Sequence, residues 1–110
     1  MKMRAFGKSI KKVAIIDFGS GHISRNNLTE TKASNLLNSI ADLGVNLFNT
    51  ARGYDLSEEI IGQQLSYRRK EIVISTKFGY GISGVNDWLY DSIIRGIDEA
   101  LTKLTMSLLK

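Results

Sequence analysis

Three times along this chain a short run of apolar, largely β-branched residues gives way to a polar or glycine-rich loop and then to an amphipathic stretch, and that order leaves few folds open. The middle instance, VNLFNTARGYDLSEEIIG from Val45 to Gly62, is the clearest. An apolar strand over Val45–Phe48 enters a Thr-Ala-Arg-Gly-Tyr loop, and Ser57-Glu58-Glu59-Ile60 then opens a helix with a capping hydroxyl and two acids at the positive end of its dipole. Before it, Ile15 to Phe18 reads as a strand ending at Gly19-Ser20-Gly21. Thr29 then caps a helix whose Ala33, Leu36, Leu37 and Ile40 recur at helical spacing, with Gly44 at the C′ position. After it, Glu71 to Thr76 carries the continuous apolar core Ile72-Val73-Ile74 of a strand covered on both faces, as in parallel sheets. A glycine-rich loop, 79–84, leads to a stripe of Leu89, Ile93, Ile94, Ile97, Leu101 and Leu104. Strand and helix alternating in this way predict right-handed βαβ units, an α/β fold.

Ahead of these units, Met3 to Phe6 and Lys11 to Ile15 flank Gly7-Lys8-Ser9 and predict a hairpin. The expected organisation is one domain over 1–110, with the hairpin at 3–15 and βα units at about 15–44, 45–70 and 71–108. Ile60, Ile61, Gln64 and Leu65 are expected on the buried side of the second helix. Arg68-Arg69-Lys70 is expected to close that helix with cations at the negative end of its dipole. Trp88 and Tyr90 are expected to pack at the start of the third helix, which extends through Leu108.

Several function classes fall away on composition. The chain has no cysteine, which excludes disulfides, thiol catalysis and cysteine metal sites, and a single histidine excludes a multi-histidine metal centre. The net charge of +4 owes much to Lys2, Arg4, Lys8, Lys11 and Lys12 in the first twelve residues. No aromatic residues interleave there as a stacking surface, so the sequence reads as a solvated basic hairpin, with no nucleic-acid or membrane partner expected. The apolar run Val13–Ile16 is interrupted by Asp17 and is too short for a signal-peptide core or a membrane span, so a cytoplasmic location is expected.

The chemistry expected of the middle and last units rests on two residues. Tyr54 follows the second strand and Lys77 ends the third, so parallel strands point both into one mouth. An ammonium beside a phenol favours the phenolate, which lets tyrosine exchange a proton nearer neutrality than its ordinary value of about 10.

FNTARGYDLSEEIIG followed by VISTKFG resembles the aldo-keto reductase family, whose pattern reads approximately FDTAxxYGxSEExxG and then a strand ending in TK. The resemblance extends upstream through KVAIIDFGSG and downstream through DW…DSIIRGIDEAL. It implies the N-terminal part of a TIM (β/α)₈ barrel: about three of eight strand–helix units plus the hairpin, since a whole barrel needs about 250 residues. It also implies NADP(H)-dependent reduction of a small-molecule aldehyde or ketone. Tyr54 would be the general acid, Lys77 its neighbour, and Gly19, Ser20 and Gly21 the backbone against the nicotinamide ribose.

At the position of the family's catalytic carboxylate this sequence has Asn49. An amide accepts a hydrogen bond but brings no charge, so a buried Lys77 would lose its counter-ion and impaired chemistry is expected. The family's histidine belongs to a fourth strand, and His22, in a polar loop, is expected to be a surface residue instead. After Leu104 the sequence Thr-Met-Ser-Leu-Leu-Lys departs from the family pattern, which implies a chain truncated before that strand and inactive alone. Open strand edges predict self-association. The alternative function is a non-catalytic remnant that binds a nucleotide or a protein. A small basic nucleic-acid-binding module is the third reading, supported only by the pI of about 9.5.

Overall fold

In the computed structural model, which describes residues 1–24 and 28–106, the hairpin forms as expected: β1 (Met3–Ala5) pairs antiparallel with β2 (Lys12–Ala14), Met3 opposite Ala14 and Arg4 opposite Val13. Its turn is closed by Phe6 N–H donating to Lys11 O and by Ser9 N–H and Oγ both donating to Phe6 O. The first parallel strand, β3, is only Phe18–Gly19, three residues later than the sequence suggests. Ile15 donates its N–H to Lys2 O, prolonging the hairpin, and the chain then bends through exposed Ile15 and Ile16 before it can join a second sheet.

β4 (Leu47–Asn49) lies between β3 and β5 (Val73–Ser75), and all three run parallel. The register aligns Phe18, Phe48 and Ile74 in one row and Gly19, Asn49 and Ser75 in the next. Residues that follow the second row therefore emerge together at the C-terminal edge of the sheet. Asn46 fastens the hairpin to this sheet: its side chain accepts from Ala14 N at 2.9 Å and donates to Lys12 O at 2.8 Å, while its carbonyl accepts from Val73 N at 2.7 Å.

Helices α1 (Glu30–Asp42), α2 (Ser57–Leu65) and α3 (Tyr90–Leu104) surround the sheet, and a 3-10 segment, Ser66–Glu71, leads into β5. Phe48, Leu37, Ile61, Leu65, Ile72, Leu104 and Ile23 form one buried cluster. Thr29 caps α1 as expected, its hydroxyl accepting from Lys32 N, and Gly44 takes a φ of 92° just beyond the helix. Ser57 is not a cap. Leu56 holds that position, and Ser57 Oγ, fully buried, instead bonds Thr50 Oγ1 at 2.8 Å and Ser20 O at 3.0 Å, locking the ends of β3 and β4 to the start of α2.

The expected cation-at-dipole role also changes. Arg68, Arg69 and Lys70 lie on the 3-10 segment and not in the last turn of α2. Arg68 donates to Glu71 and to Asp42, each at 2.9 Å, and to Asn38 Oδ1 at 3.1 Å, tying this segment to the end of α1. Its hydrogen bonds to Glu71 and then to Asp42 hold the guanidinium above its ordinary pKa, whereas burial lowers that of Arg69, which donates to Ile72 O.

The largest departure is in α3. Its buried seam is Ser92, Gly96, Ala100 and Leu104, at i, i+4 spacing, while Ile93 and Ile94 are exposed and Ile97 and Leu101 half-buried. Close approach explains the choice: a Cβ on Gly96 would lie 2.9 Å from Phe78 Cβ, and one on Gly62 of α2 would collide with the Lys103 and Leu104 backbone. Small residues therefore form the contact. Ile97 and Leu101 instead line an apolar groove of about 270 Å³ with Ile74, Phe78 and Met106. α3 ends at Leu104, where Thr105 adopts a left-handed conformation with φ 53°, so the expected continuation does not form there; Leu108 lies outside the described residues. Trp88 and Tyr90 do not pack inward: both are exposed, with Trp88 tilted against Tyr80 at 5.5 Å.

Candidate active site

The ladder between β4 and β5 continues past the strands, as Thr50 N–H donates to Ser75 O at 2.8 Å and Arg52 N–H to Lys77 O at 3.2 Å. This pairing carries the loop after β4 alongside the end of β5, so the backbones of Arg52 and Lys77 are adjacent. Tyr54 then sits in a turn, its N–H donating to Ala51 O and its own carbonyl accepting from Ser57 N, which fastens it to the first turn of α2.

Lys77 Nζ stands 5.2 Å from the centroid of the Tyr54 ring. It donates to Asn49 Oδ1 and to Thr50 O, both at 3.0 Å. Gly21 faces the Tyr54 ring, whose carbons would be about 3.9 Å from a Cβ there. A cleft of about 470 Å³ is lined by Gly19, Gly21, His22, Asn49, Tyr54 and Lys77. Three loops, after β3, β4 and β5, thus converge on one phenol–ammonium pair.

Of the three residues expected to face a cofactor, Gly19 and Gly21 line the cleft and Ser20 does not. Ser20 is fully buried behind it, its carbonyl accepting from Ser57 and its hydroxyl without a partner among the described residues. His22 is exposed, as expected, yet it stands on the rim of this same cleft. Lys77 is exposed in these three units, and the expected cost of an uncompensated ammonium concerns its burial in a complete barrel. The last strand of the described sheet leaves the lysine open to water on its far side.

Sequence reasoning missed the latch beside the site. Arg52 pairs with Glu99 of α3 and donates to Gly81 O at 2.8 Å, and Tyr80 Oη accepts from Gly53 N–H at 2.9 Å. The contacts with Gly81 O and Tyr80 tie the Tyr54 loop to the glycine-rich loop after β5, and the ion pair ties it to α3. Neither partner stands at a helical or strand period from the other, so no local pattern announces them. Tyr80→Phe removes the acceptor next to Tyr54 and is expected to raise amide exchange at Gly53 about fivefold, equivalent to about 1 kcal/mol for one net hydrogen bond. Exchange at Ala33 of α1 should not change.

A family model of the aldo/keto reductases matches residues 15–108, and the chain belongs to that family. Among curated relatives it is 37% identical over 113 residues to a probable voltage-gated potassium channel subunit beta of Arabidopsis thaliana, and 30% identical over 106 residues to an uncharacterised oxidoreductase of Bacillus subtilis. These alignments cover 96% and 94% of this chain and 34% of each relative, so the chain spans about a third of their length. Among solved structures, a Pseudomonas aeruginosa protein assigned to the aldo-keto reductases superposes with a TM-score of 0.86 at 29% identity, covering 98% of this chain and 44% of that one. An aldo-keto reductase from Bacillus halodurans, solved in its holo form, gives 0.80 at 26% identity, over 100% and 38%. The three βα units are therefore a partial TIM barrel, and members of this family generally use NAD(P)H.

Proposed function

We propose that these residues form the proton-transfer part of a nicotinamide-dependent carbonyl reductase site, acting on aldehydes or ketones, and that the 110 residues alone do not turn over. The observation that carries this reading is Lys77 Nζ held 5.2 Å over the Tyr54 ring by two fixed acceptors. Tyr54 Oη donates its proton to the carbonyl oxygen as negative charge builds there. Lys77 stabilises the phenolate left behind, an interaction made stronger in the transition state than before it.

The cleft suits the nicotinamide end of NADP(H): Gly19 leaves open space where a Cβ would meet nothing within 4 Å, and the Gly21 backbone lies beside the phenol. When bound, the cofactor supplies a hydride to the carbonyl carbon. Gly19 and Gly21 would lie against its nicotinamide ribose by close backbone approach. Asn49 keeps Lys77 aimed through a neutral amide, a weaker anchor than the ion pair a carboxylate would make.

The test compares the chain alone with a completed barrel in which residues 15–106 replace the matching segment of the Pseudomonas aeruginosa relative. Aldehyde-dependent NADPH oxidation is expected from the completed barrel and not from the chain. Asn49→Asp in the completed barrel should raise kcat about tenfold, because a carboxylate, charged opposite the ammonium, fixes it more firmly than an amide does. A fall would show instead that the unneutralised ammonium is the better partner for phenolate.

The second reading, a non-catalytic module that binds a nucleotide or protein, is favoured by Asn49 and by the channel-subunit relative. Saturable NADPH binding by the completed barrel, without turnover even after Asn49→Asp, is the result that would establish it over the first.

A further inference from the structure

Glu58 is an acid that the proton transfer does not use and that the fold nevertheless buries. It is the second residue of α2 and is 2% exposed, and among the described residues no cation pairs with it. Its neighbour Glu59 shows the ordinary use of an acid in a first helical turn: one oxygen lies 3.8 Å from Lys103 Nζ of α3, and its side chain stays 33% exposed. The positive end of the helix dipole favours an acid at either place but does not require burial. Taking a carboxylate out of water is costly unless something holds it.

Thr76 holds it, its hydroxyl donating to Glu58 Oε2 at 2.8 Å. Thr76 follows β5 and immediately precedes Lys77, and successive side chains of extended backbone alternate in direction, so Thr76 meets α2 while Lys77 lines the cleft. Ser57, beside Glu58, bonds Thr50 Oγ1 and Ser20 O. Two consecutive residues of α2 therefore grip the ends of all three parallel strands.

The contacts close a circuit around the phenol–ammonium pair. Tyr54 O accepts from Ser57 N–H at 2.9 Å, Glu58 is the next residue, its carboxylate holds Thr76, and the residue after Thr76 is Lys77, whose Nζ returns to the Tyr54 ring at 5.2 Å. Asn49 Oδ1 and Thr50 O fix the tip of the lysine. The Glu58–Thr76 bond fixes its root relative to the turn that carries the phenol. Every group in the circuit belongs to the three described units, and further barrel units add cover to a buried carboxylate without removing it.

We propose that Glu58 is a positioning residue for the Tyr54–Lys77 pair: acting through the Thr76 hydroxyl, its buried carboxylate sets where the ammonium stands against the phenol. Neither Glu58 nor Thr76 lines the cleft, so the effect is on alignment and not on binding. The kinetic consequence rests on the carbonyl-reductase reading above, whereas the geometric one does not.

Two readouts keep these apart. In proton NMR of the 110-residue chain, the Lys77 ε-methylene protons carry a ring-current shift from Tyr54, and Tyr54→Leu marks their position without the ring. Thr76→Val keeps the side-chain volume but loses the hydroxyl, and should move them at least halfway to that position. Thr76→Ser keeps the hydroxyl and should leave them where they are in the parent. Glu58→Gln should move them in the same direction as Thr76→Val, and combining the two should add little, since both act on one bond. In the completed barrel, Thr76→Val and Glu58→Gln should each lower kcat about tenfold with KM changed less than about twofold. Ile61→Val, at a fully buried core position of the same helix, should lower the melting midpoint and move neither readout, which separates alignment from stability. Circular dichroism checks that each variant keeps the parent fold.

Parent-like Lys77 shifts in both Thr76→Val and Glu58→Gln overturn the proposal. Equal displacement by Thr76→Ser and Thr76→Val also overturns it, as does an Ile61→Val displacement as large as theirs. A completed barrel without turnover, alongside a Lys77 shift lost in Thr76→Val and kept in Thr76→Ser, would remove the carbonyl chemistry and leave the positioning role standing.

Discussion

Tyr54→Phe lowers kcat of the completed barrel by about a hundred- to ten-thousandfold, the range that a positioned general acid contributes, while the melting midpoint stays within a few degrees of the parent. The prediction follows from where the two ends of the side chain lie. The backbone of Tyr54 is held by Ala51 O and Ser57 N–H, neither of which the substitution touches, and the ring keeps its contacts with Gly21. Only the hydroxyl is lost, and no protein partner of that hydroxyl is found among the described residues. Stability and activity should therefore separate. Cofactor affinity should hardly change, since the cleft keeps its glycine-lined side. A residual rate within a few-fold of the parent would remove Tyr54 from proton transfer and with it the proposed chemistry.

Gly62→Ala is expected to destabilise the chain by about 3 kcal/mol, lowering its midpoint by roughly 10 °C or more in a thermal melt followed by circular dichroism. Helix propensity alone argues the other way, favouring alanine by about 1 kcal/mol inside α2. The collision decides the sign. A Cβ at this position would stand 2.6 Å from the Leu104 carbonyl carbon and 2.7 Å from its oxygen, and backbone at the end of a helix cannot swing aside as a flexible side chain does. α2 and α3 must separate, opening the cluster of Ile61, Leu65 and Leu104 beneath. An unchanged midpoint would mean that this helix contact is far looser than the close approach implies.

Much of this architecture is legible in the sequence because its signals are local. Thr29 and Gly44 bracket α1 by capping chemistry, and the run Ile72-Val73-Ile74 marks the place of β5, although the strand begins only at Val73 and Ile74 is half-buried. The Tyr54–Lys77 pairing can be anticipated because parallel strands in register place their C-terminal ends together. What the sequence hides depends on three-dimensional proximity. The isoleucines of α3 form a stronger periodic stripe than Ser92, Gly96 and Ala100, yet the helix turns its small residues inward because the backbone of α3 comes so close to α2 and to Phe78. Hydrophobic period measures what could be buried, while contact distance decides what is. Ser57 has the composition of a cap, but a buried hydroxyl with Thr50 and Ser20 O within reach is used across the fold. The exposure of Lys77 and the Arg52–Glu99 latch likewise involve residues far apart in sequence and have no local signature.

Asn46 has a mechanical consequence. Its amide occupies the place of a missing peptide, gripping β2 on one side while its own backbone carbonyl grips β5 on the other. A force applied to the hairpin is therefore not absorbed by the hairpin's own few bonds. It passes along the main chain into β3 and, through this one side chain, into the middle of the parallel sheet, three residues ahead of Asn49. Tension at the hairpin therefore reaches the row of Gly19, Asn49 and Ser75 by two routes, and an Asn46→Ala chain would keep only the main-chain one through β3.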